Sequence, residues 1–392
     1  MIKKLLLYIL PILRLLSIFI IKKKLRISFH SIPDLSGNSK AFFNYLYQQE
    51  KYDLIWVFSN ESLEEKFNNK YPNSKSVSLY SLEGIYLILT SKTLVTTHNV
   101  LRLFKAKNQK HLSLWHGMPL KSMGFMIDQK LANPEPLVKT DHIVSNMFVT
   151  STLTKTLLSS ALYINPQKVL ITGQTRNDQL FNKKLAIEKL ENLLNISIND
   201  KKIIFFLPTF RQGFKGRTDG DSINKNNVFR LSDYSHTTFC DFLENENYLL
   251  ITKLHPFEEN IIDININQNN FKLLKQATLD DKLVDLYEIL GAGDLLITDY
   301  SSIYFDTLLI NMPNIFSIPD FDKYKNSRGF TLSPFDFWTP GPKTKNMNNL
   351  LIEIKNSLKN KSYFVDERKQ VNDIINEIQD DSACSTIETL LF

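Results

Sequence analysis

The sequence is poor in cysteine and lacks the glycine-rich patterns of the common nucleotide-binding folds. Only 2 of its 392 residues are cysteines, Cys240 and Cys384. Their separation matches no metal-ligand spacing, which indicates a reducing compartment. Neither a GxGxxG pattern nor a P-loop pattern occurs in the chain. A Rossmann-type dinucleotide site and a P-loop nucleotide site are therefore not indicated.

Most of the chain also lacks an excess of either charge. The 47 basic and 41 acidic residues give a formal net charge of +6. Residues 1–26 carry seven of the basic residues and no acidic residue. Because the remainder is close to neutral, a nucleic-acid-binding surface is not predicted.

Residues 1–26 have the composition of a membrane-associating helix. The apolar run 5–21 contains Pro11 and Arg14. As a helix it would measure roughly 25 Å, slightly less than a relaxed bilayer crossing. Basic residues flank it on both sides, which suits anionic headgroups on one membrane surface. We predict a monotopic anchor on the cytoplasmic membrane face; a spanning helix and a buried helix of the soluble domain are the alternatives.

After residue 26, short apolar runs alternate with amphipathic segments. Strands are predicted over 52–59, 93–98, 111–116 and 168–172, and helices over 39–49, 80–91 and 146–162. A helix and a linker are predicted over 182–202, and the alternation then repeats. This pattern is typical of parallel sheets covered by helices on both faces. We predict two Rossmann-like α/β domains facing a cleft, over 27–182 and 183–355, and a helical tail over 356–392.

Five of the strand-like runs end in polar or turn-forming residues. They are LSLWHGMP (motif 1, 112–119), VLITGQTRND (motif 2, 169–178), IIFFLPTFRQ (motif 3, 203–212), LLITKLHP (motif 4, 249–256) and LLITDYSS (motif 5, 295–302). In an open parallel sheet, ligands bind just beyond the carboxyl ends of the strands. The five motifs are therefore predicted to gather around one cleft.

The residue types in these motifs suit phosphate chemistry. His116 and His255 titrate near neutrality and can transfer a proton. The cations Lys121, Arg176, Arg211 and Lys253 are suited to phosphate oxygens. Ser301 or Ser302 could cap a helix running through Leu308, whose free N–H groups would bind phosphate, with Asp306 one turn further along. Gly117 leaves room for a substrate against the backbone. The set predicts a reaction on a phosphate-bearing donor.

Each of these residues also has a plain structural interpretation. A histidine after a strand can be structural, and Arg211 can simply pair with a carboxylate. Asn177 and Asp178 can form a turn or a helix cap, and Lys121 can be a solvated side chain. The other histidines are expected to be structural; they are His30, His98, His111, His142 and His236.

The motifs resemble those of a known bacterial family. WHGMPLKSMG, GQTRND, LPTFR, KLHP and TDYSSIYFD are similar to sequences of the CDP-glycerol glycerophosphotransferase family, which contains teichoic acid primases and polymerases and related capsule enzymes. RGF (328–330), PFDF (334–337), PGP (340–342) and SGNSKAFFNYL (36–46) extend the resemblance, which covers about residues 27–355 in consistent order. Two positions depart from the family pattern, because Met118 replaces threonine and Gln174-Thr175 replace tyrosine-proline.

The resemblance implies a GT-B fold and transfer of a polyol phosphate from a CDP-activated donor to a hydroxyl, with release of CMP. It also implies peripheral attachment to the cytoplasmic membrane face, where lipid-linked acceptors lie. By position, His116 corresponds to the candidate general base and His255 to a second essential histidine that contacts or protonates the phosphates. The candidate donor-site residues are Thr209, Arg211, Lys253, Asp299, Ser301, Ser302 and Asp306, and the acceptor-side candidates are Gly117, Lys121, Arg176, Asn177 and Asp178.

The expected partners are CDP-glycerol or CDP-ribitol, a lipid-linked glycan acceptor and the membrane surface. No metal site is predicted, although Mg²⁺ could arrive with the donor. Two alternatives remain open: a GT-B glycosyltransferase that uses a nucleotide sugar, and a non-catalytic protein that binds the donor without releasing CMP.

Overall fold

The computed structural model describes residues 17–391, apart from residues 99–100, 102–103, 127–139, 212–219, 224, 226 and 263–268. A seven-stranded sheet organises the first half, and all its paired strands are parallel. Its strands are β1 (Lys23–His30), β2 (Asp53–Phe58), β3 (Lys75–Ser78), β4 (Ser91–Thr96), β5 (Lys110–Ser113), β6 (Asn146–Val149) and β7 (Val169–Ile171). Their order across the sheet is β3-β2-β1-β4-β5-β6-β7.

Helices cover both faces of this first sheet, and together they form the first domain. The helices are α1 (Gly37–Tyr47), α2 (Glu64–Lys70), α3 (Leu82–Thr90) and α4 (Thr152–Leu162). Trp56 and Phe58 of β2 belong to the apolar core shared with α1 and α2. Ile55 and Val57 face the opposite way and pack with α3. Strands buried on both faces need near-continuous apolar runs, which is why β2 reads DLIWVF.

A second sheet of six parallel strands organises the second domain. Its strands are β8 (Lys202–Phe206), β9 (Tyr248–Thr252), β10 (Phe271–Leu273), β11 (Leu295–Thr298), β12 (Asn314–Ser317) and β13 (Lys343–Thr344), in the order β10-β9-β8-β11-β12-β13. The helices that follow β7 are α5 (Lys183–Leu194), α6 (His236–Asn245), α7 (Pro256–Glu259), α8 (Gln276–Lys282), α9 (Tyr287–Leu290), α10 (Ile303–Thr307), α11 (Phe321–Arg328), α12 (Phe335–Trp338), α13 (Met347–Lys359), α14 (Val365–Ile375) and α15 (Ala383–Glu388).

The last two helices pack in different domains. Val371 and Ile375 of α14 are buried in the core of the second domain, together with Phe205 of β8. By contrast, Ile387 of α15 and the adjacent Leu391 are buried in the core of the first domain. The chain therefore returns to its first domain after completing the second.

The predicted α/β class with parallel sheets is confirmed, but one predicted element is wrong. Residues 146–162 do not form a single helix, because 146–149 form β6 and α4 begins only at Thr152. The boundary is set by Ser151, whose side chain accepts a hydrogen bond from the Thr154 backbone N–H and caps α4. Such a capping serine commonly marks where a helix begins.

The amino-terminal part of the chain also differs from the prediction. Residues 1–16 of the predicted membrane helix lie outside the described residues. Residues 23–26, its predicted end, instead belong to β1, where the buried Arg26 donates hydrogen bonds to Asp53 (2.7 Å) and Thr90 (2.8 Å). The first domain thus begins before the predicted boundary at residue 27. Within the described ranges, every helix is too short or too polar to cross a bilayer.

Buried ion pairs join the two domains beside the cleft. Lys40 of α1 donates to the Leu283 carbonyl (2.7 Å) and pairs with Glu288 of α9 (2.9 Å). Lys189 of α5 pairs with the other Glu288 oxygen at 2.7 Å. The backbone N–H of Gly37 donates to Asp285 at 2.9 Å. These contacts set how the first domain meets the second.

Candidate active site

All five motifs follow the carboxyl ends of parallel strands. Motifs 1 and 2 follow β5 and β7 of the first sheet. Motifs 3, 4 and 5 follow β8, β9 and β11 of the second sheet. Contacts between neighbouring motifs link all five, as described below. The convergence predicted from the sequence is therefore present in the structure.

His116, in motif 1, has two other rings packed against its imidazole, while the residue as a whole is exposed. Its imidazole stacks on His98 with 4.4 Å between ring centroids and 5° between ring planes. It also stacks on Trp115 at 4.1 Å and 29°. Loss of hydration, followed by the nearby His98 and Arg176, lowers the pKa of His116 below the usual histidine value. The ring is therefore neutral at neutral pH and can accept a proton.

His98 is a residue that the sequence interpretation assigned to a structural role. It lies two residues beyond β4, and His116 lies three residues beyond β5. Since Thr96 of β4 pairs with Ser113 of β5, the two histidines emerge side by side. His30 ends β1, the strand on the other side of β4. One sequence signal could have identified His98: the strand-like run TLVTTH ends in a histidine, as the run LSLWH at the start of motif 1 does.

Gly117 brings motif 1 close to motifs 2 and 5. Its φ of +133° lies in a region that favours glycine. A β-carbon placed there would lie 3.1 Å from Nη2 of Arg176 and 3.7 Å from Oγ of Ser302. The tighter of these two distances is to Arg176, so the glycine leaves room for that side chain against the backbone of motif 1.

Arg176 and Asp306 connect the domains by a buried ion pair. Arg176 Nη2 donates to Asp306 Oδ2 at 2.7 Å, and Asn177 donates to the other oxygen at 3.2 Å. The Tyr287 hydroxyl also donates to Asp306, and its ring lies 4.3 Å from the Arg176 guanidinium carbon. Burial opposes the charge on Arg176, but Asp306 outweighs it, so the pKa of Arg176 is raised. Both oxygens of Asp306 are thus occupied by protein donors.

Asn38 links motifs 1 and 2, and sequence reasoning missed it. Its side-chain amide donates to the backbone carbonyls of Leu114 and Trp115, both at 3.0 Å. Its side-chain oxygen accepts from the Arg176 backbone N–H at 3.1 Å. Thr175, one of the two departures in motif 2, donates its hydroxyl to the Asn38 carbonyl at 2.7 Å. Asn38 lies in the segment SGNSKAFFNYL, which carried a resemblance but no assigned role.

Arg211, in motif 3, is buried between acidic and aromatic groups of the second domain. It pairs with Asp299 at 3.0 Å and with Asp320 at 3.3 Å. Its guanidinium carbon lies 4.7 Å from the Tyr300 ring centroid and 4.8 Å from that of Tyr324. Among the described residues, its Nε and Nη1 have no hydrogen-bond partner. The expected structural pairing is present, and the two nitrogens without a protein acceptor are the donors proposed below for the phosphates.

Thr209 connects motif 3 to motif 5 and to Lys121, which lies two residues beyond motif 1. Its backbone N–H donates to Asp299 Oδ1 at 2.8 Å. Its hydroxyl accepts from Lys121 Nζ at 3.4 Å. Lys121 also forms a β-bridge with Phe330, so a strand-like segment of the first domain pairs with the RGF segment of the second. Lys121 therefore lies at the domain junction and not on a remote solvated face.

His255, in motif 4, is half-buried at the start of α7. Its Nδ1 accepts from the Phe257 backbone N–H at 3.4 Å, and its ring stacks on Phe210 of motif 3 at 3.9 Å. Burial and then Lys253 lower its pKa. Lys253 itself donates to Glu259 at 2.6 Å and to the Leu254 carbonyl at 2.8 Å. Lys253, a predicted phosphate cation, is thus paired with a carboxylate.

Asp178 has the helix-capping role that was one of its predicted interpretations, whereas Ser302 does not form the predicted side-chain cap. Ser302 precedes α10 without a side-chain capping bond, and the α-helix ends at Thr307, shorter than predicted. Ser301 and Ser302 are both half-buried beside the cleft. Asp178 accepts from the Ala383 and Cys384 backbone N–H groups, at 3.2 and 2.8 Å, so it caps α15.

The assembled site provides a neutral imidazole, buried guanidinium groups and serine hydroxyls at one domain boundary. A search of the described ranges finds no group of three His, Cys, Asp or Glu residues able to hold a metal ion. Guanidinium N–H groups stabilise phosphate charge, and a neutral imidazole accepts a hydroxyl proton. These groups suit transfer of a phosphate-bearing group to an alcohol.

Comparison with known proteins agrees with this chemistry. A family model described as CDP-glycerol:poly(glycerophosphate) glycerophosphotransferase matches residues 12–392. The teichoic acid glycerol-phosphate transferase of Staphylococcus aureus is 27% identical over 386 residues, covering 93% of this chain and 91% of that protein. The teichoic acid poly(glycerol phosphate) polymerase of Bacillus spizizenii is 29% identical over 360 residues, covering 86% and 84%.

Solved structures show the same fold. A structure of the wall teichoic acid polymerase TagF soaked with CDPG superposes with a TM-score of 0.79 at 23% identity, covering 99% of this chain and 94% of that one. UDP-GlcNAc 2-epimerase from Neisseria meningitidis superposes with a TM-score of 0.52 at 14% identity. At these identities the likeness concerns the fold.

Proposed function

The chain belongs to the CDP-glycerol:poly(glycerophosphate) glycerophosphotransferase family, and we propose that it transfers glycerol phosphate from CDP-glycerol to a hydroxyl of a teichoic acid acceptor. Polyol-phosphate transfer is the activity of the family, and CDP-ribitol is the alternative donor. For this chain the proposal rests on one observation. His116 is neutral and is next to Gly117, and Gly117 lies close to Arg176 and Ser302.

The proposed reaction is a direct displacement at phosphorus. The acceptor oxygen attacks the β-phosphorus of the donor and forms a new P–O bond. The bond from that phosphorus to the bridging oxygen breaks, and CMP leaves with the electron pair. His116 takes the proton of the acceptor hydroxyl, which its lowered pKa allows at neutral pH. General base catalysis of this kind contributes about 10²- to 10⁴-fold to the rate.

Charge on the phosphates is offset by groups of the second domain. Nε and Nη1 of Arg211 have no acceptor among the described residues and are buried, where a charged hydrogen bond is strong. His255 and the backbone near Ser302 complete this side of the site. Asp299 and Asp306 act on the donor through Arg211 and Arg176, because Asp299 is ion-paired with Arg211 and both oxygens of Asp306 accept from protein groups.

The test is CMP release from CDP-glycerol and CDP-ribitol with a lipid-linked acceptor. We expect release from one donor, reduced at least about 100-fold in His116→Ala. The matched control is His142→Ala, which removes an exposed imidazole before β6, at the amino end of that strand. Full turnover by a folded His116→Ala variant would overturn the mechanism. Reaction with UDP-sugars but neither CDP-polyol would support the glycosyltransferase alternative.

The first domain also supports the proposed attachment to a membrane. Exposed apolar side chains lie at the amino-terminal segment and on α3: Phe19 is 83% exposed, Ile21 88% and Leu82 85%. Lys22 joins the segment to α3, since its Nζ donates to the Leu89 carbonyl. Apolar side chains flanked by lysines suit an anionic bilayer surface. We propose that this surface contacts the cytoplasmic membrane face.

Co-sedimentation with phosphatidylglycerol vesicles tests this attachment. The Phe19→Ser/Ile21→Ser double variant should bind vesicles less tightly than the wild type. Ile352→Ser is the matched control, since Ile352 is 55% exposed on α13 of the second domain. Equal binding of the double variant and the control would contradict the assigned surface.

A further inference from the structure

We propose that His98 is a positioning residue for His116, holding the imidazole plane by ring stacking so that it meets the acceptor hydroxyl in one orientation. The inference rests on the proposed function of His116 as the base. It assigns a role to a histidine that lies outside the five motifs. The inference rests on the stacking contact between His98 and His116, which follow the adjacent strands β4 and β5.

The stacking geometry defines what His98 can do. The two imidazole planes differ by only 5°, with centroids 4.4 Å apart, and the structure gives no hydrogen bond between the rings. His98 therefore cannot relay a proton directly to His116 in this arrangement. It can restrict rotation of the His116 ring, which Trp115 contacts at 4.1 Å. Restricting a base to a productive orientation lowers the barrier without changing donor binding.

His98 is itself held in place by its own strand end. Its Nδ1 lies 2.9 Å from the hydroxyl of Thr97, which is buried. Thr97 thus anchors the His98 ring, and the parallel register of β4 and β5 keeps the backbones that lead to the two histidines adjacent.

The electrostatic surroundings agree with this arrangement. The titratable or charged groups near His116 are His98 and Arg176, and both disfavour its protonation. The pKa of His98 is also lowered, by loss of hydration. Two neutral imidazoles can stack without charge repulsion, whereas a protonated pair would be driven apart.

The experiment compares His98→Leu with His98→Phe in the full chain. Leucine removes the planar ring, so we expect kcat for CMP release to fall roughly 10-fold or more, with KM for CDP-glycerol within about twofold of wild type. Phenylalanine keeps a flat ring and should restore most of the lost kcat. His142→Leu is the control for loss of an imidazole elsewhere. Thr97→Val, which releases the His98 ring from its anchor, should give a smaller loss of kcat.

A double variant separates this inference from the proposed mechanism. If His98 acts through His116, adding His98→Leu to His116→Ala should cause no further loss. A further 10-fold loss in the double variant, or a His98→Phe variant as slow as His98→Leu, would overturn the positioning role. Unchanged kcat in both His98 variants would also overturn the positioning role. Full turnover by His116→Ala would instead overturn the mechanism itself.

Discussion

The Arg176 guanidinium and the Asp306 carboxylate lie 2.7 Å apart, although Arg176 follows β7 of the first domain and Asp306 lies in α10 of the second. Both side chains are almost fully buried. A buried charge is costly unless it is paired, so each domain supplies the partner that the other requires. The ion pair therefore holds the two domains together at the cleft and balances the two buried charges there.

Asp306→Asn should lower both the free energy of unfolding and the rate of CMP release. Removing one partner of a buried ion pair typically costs about 3–5 kcal/mol, because the remaining charge is left unpaired. Urea denaturation monitored by circular dichroism should show this loss, and kcat/KM for CMP release should fall with it. Asp281→Asn is the control, since Asp281 pairs with Lys66 at the surface. An Asp306→Asn variant as stable as the control would contradict the coupling.

The pH dependence of the reaction should reflect the lowered pKa of His116. The base acts when neutral, so kcat/KM stays on its plateau as the pH falls through the ordinary histidine value of about 6.5. It should decline only at lower pH, where His116 becomes protonated. The measurement is kcat/KM for CMP release across the acid range. A midpoint at or above the ordinary value in both the wild type and His255→Gln would contradict the assignment.

Stability in acid should depend on Glu288. Burial acts to raise its pKa, but Lys40 and Lys189 outweigh this effect and lower it to about 2. A lowered carboxyl pKa stabilises the fold above the unfolded value near 4.5, and this stabilisation is lost as the pH falls toward 2. A shift of that size corresponds to on the order of 3 kcal/mol.

Urea denaturation at several pH values tests this prediction. Glu288→Gln should be less stable than the wild type at pH 7, and the difference should shrink in acid. Glu246→Gln is the control, because Glu246 pairs with Lys355 and Lys359 at the surface and such pairs contribute little. A wild-type advantage over Glu288→Gln that does not change with pH would exclude the ion pairs as its source.

Gly117→Ala should impair turnover more than folding. The added methyl group would lie 3.1 Å from Nη2 of Arg176, so the guanidinium that pairs with Asp306 would have to shift. We expect kcat to fall roughly 10-fold or more. Gly37→Ala is the matched control, because Gly37 also has a positive φ (+58°) but nothing within 4 Å of an added β-carbon. Equal losses of kcat in the two variants would indicate backbone strain alone.

Local patterns in the sequence predicted most of the strands and the residues that follow them. Parallel strands buried on both faces leave long apolar runs, and their carboxyl ends collect polar residues. The helix predicted over 146–162 failed because the four-residue strand β6 merges into the apolar pattern of α4. Only two residues, Thr150 and the capping residue Ser151, separate the strand from the helix.

Sequence patterns could not predict which residues contact each other when they lie far apart in the chain. Asn38 contacts Trp115, and Arg176 contacts Asp306, across 77 and 130 positions of sequence. The stacking of His98 on His116 depends on β4 lying beside β5, which spacing along the chain does not reveal. The sequence thus predicted which residue types gather at the cleft but not which carboxylate holds which cation.

The return of α15 to the first domain has a consequence for protein synthesis. Ile387 and Leu391 fill the core of that domain, and Thr93 of β4 donates its hydroxyl to the Leu391 carbonyl, 298 positions away. A nascent chain usually folds its amino-terminal domain first. Here that domain lacks part of its interior until residues 387–391 have left the ribosome. Translation must therefore pass residue 391, beyond the whole second domain, before the core of the first domain is complete.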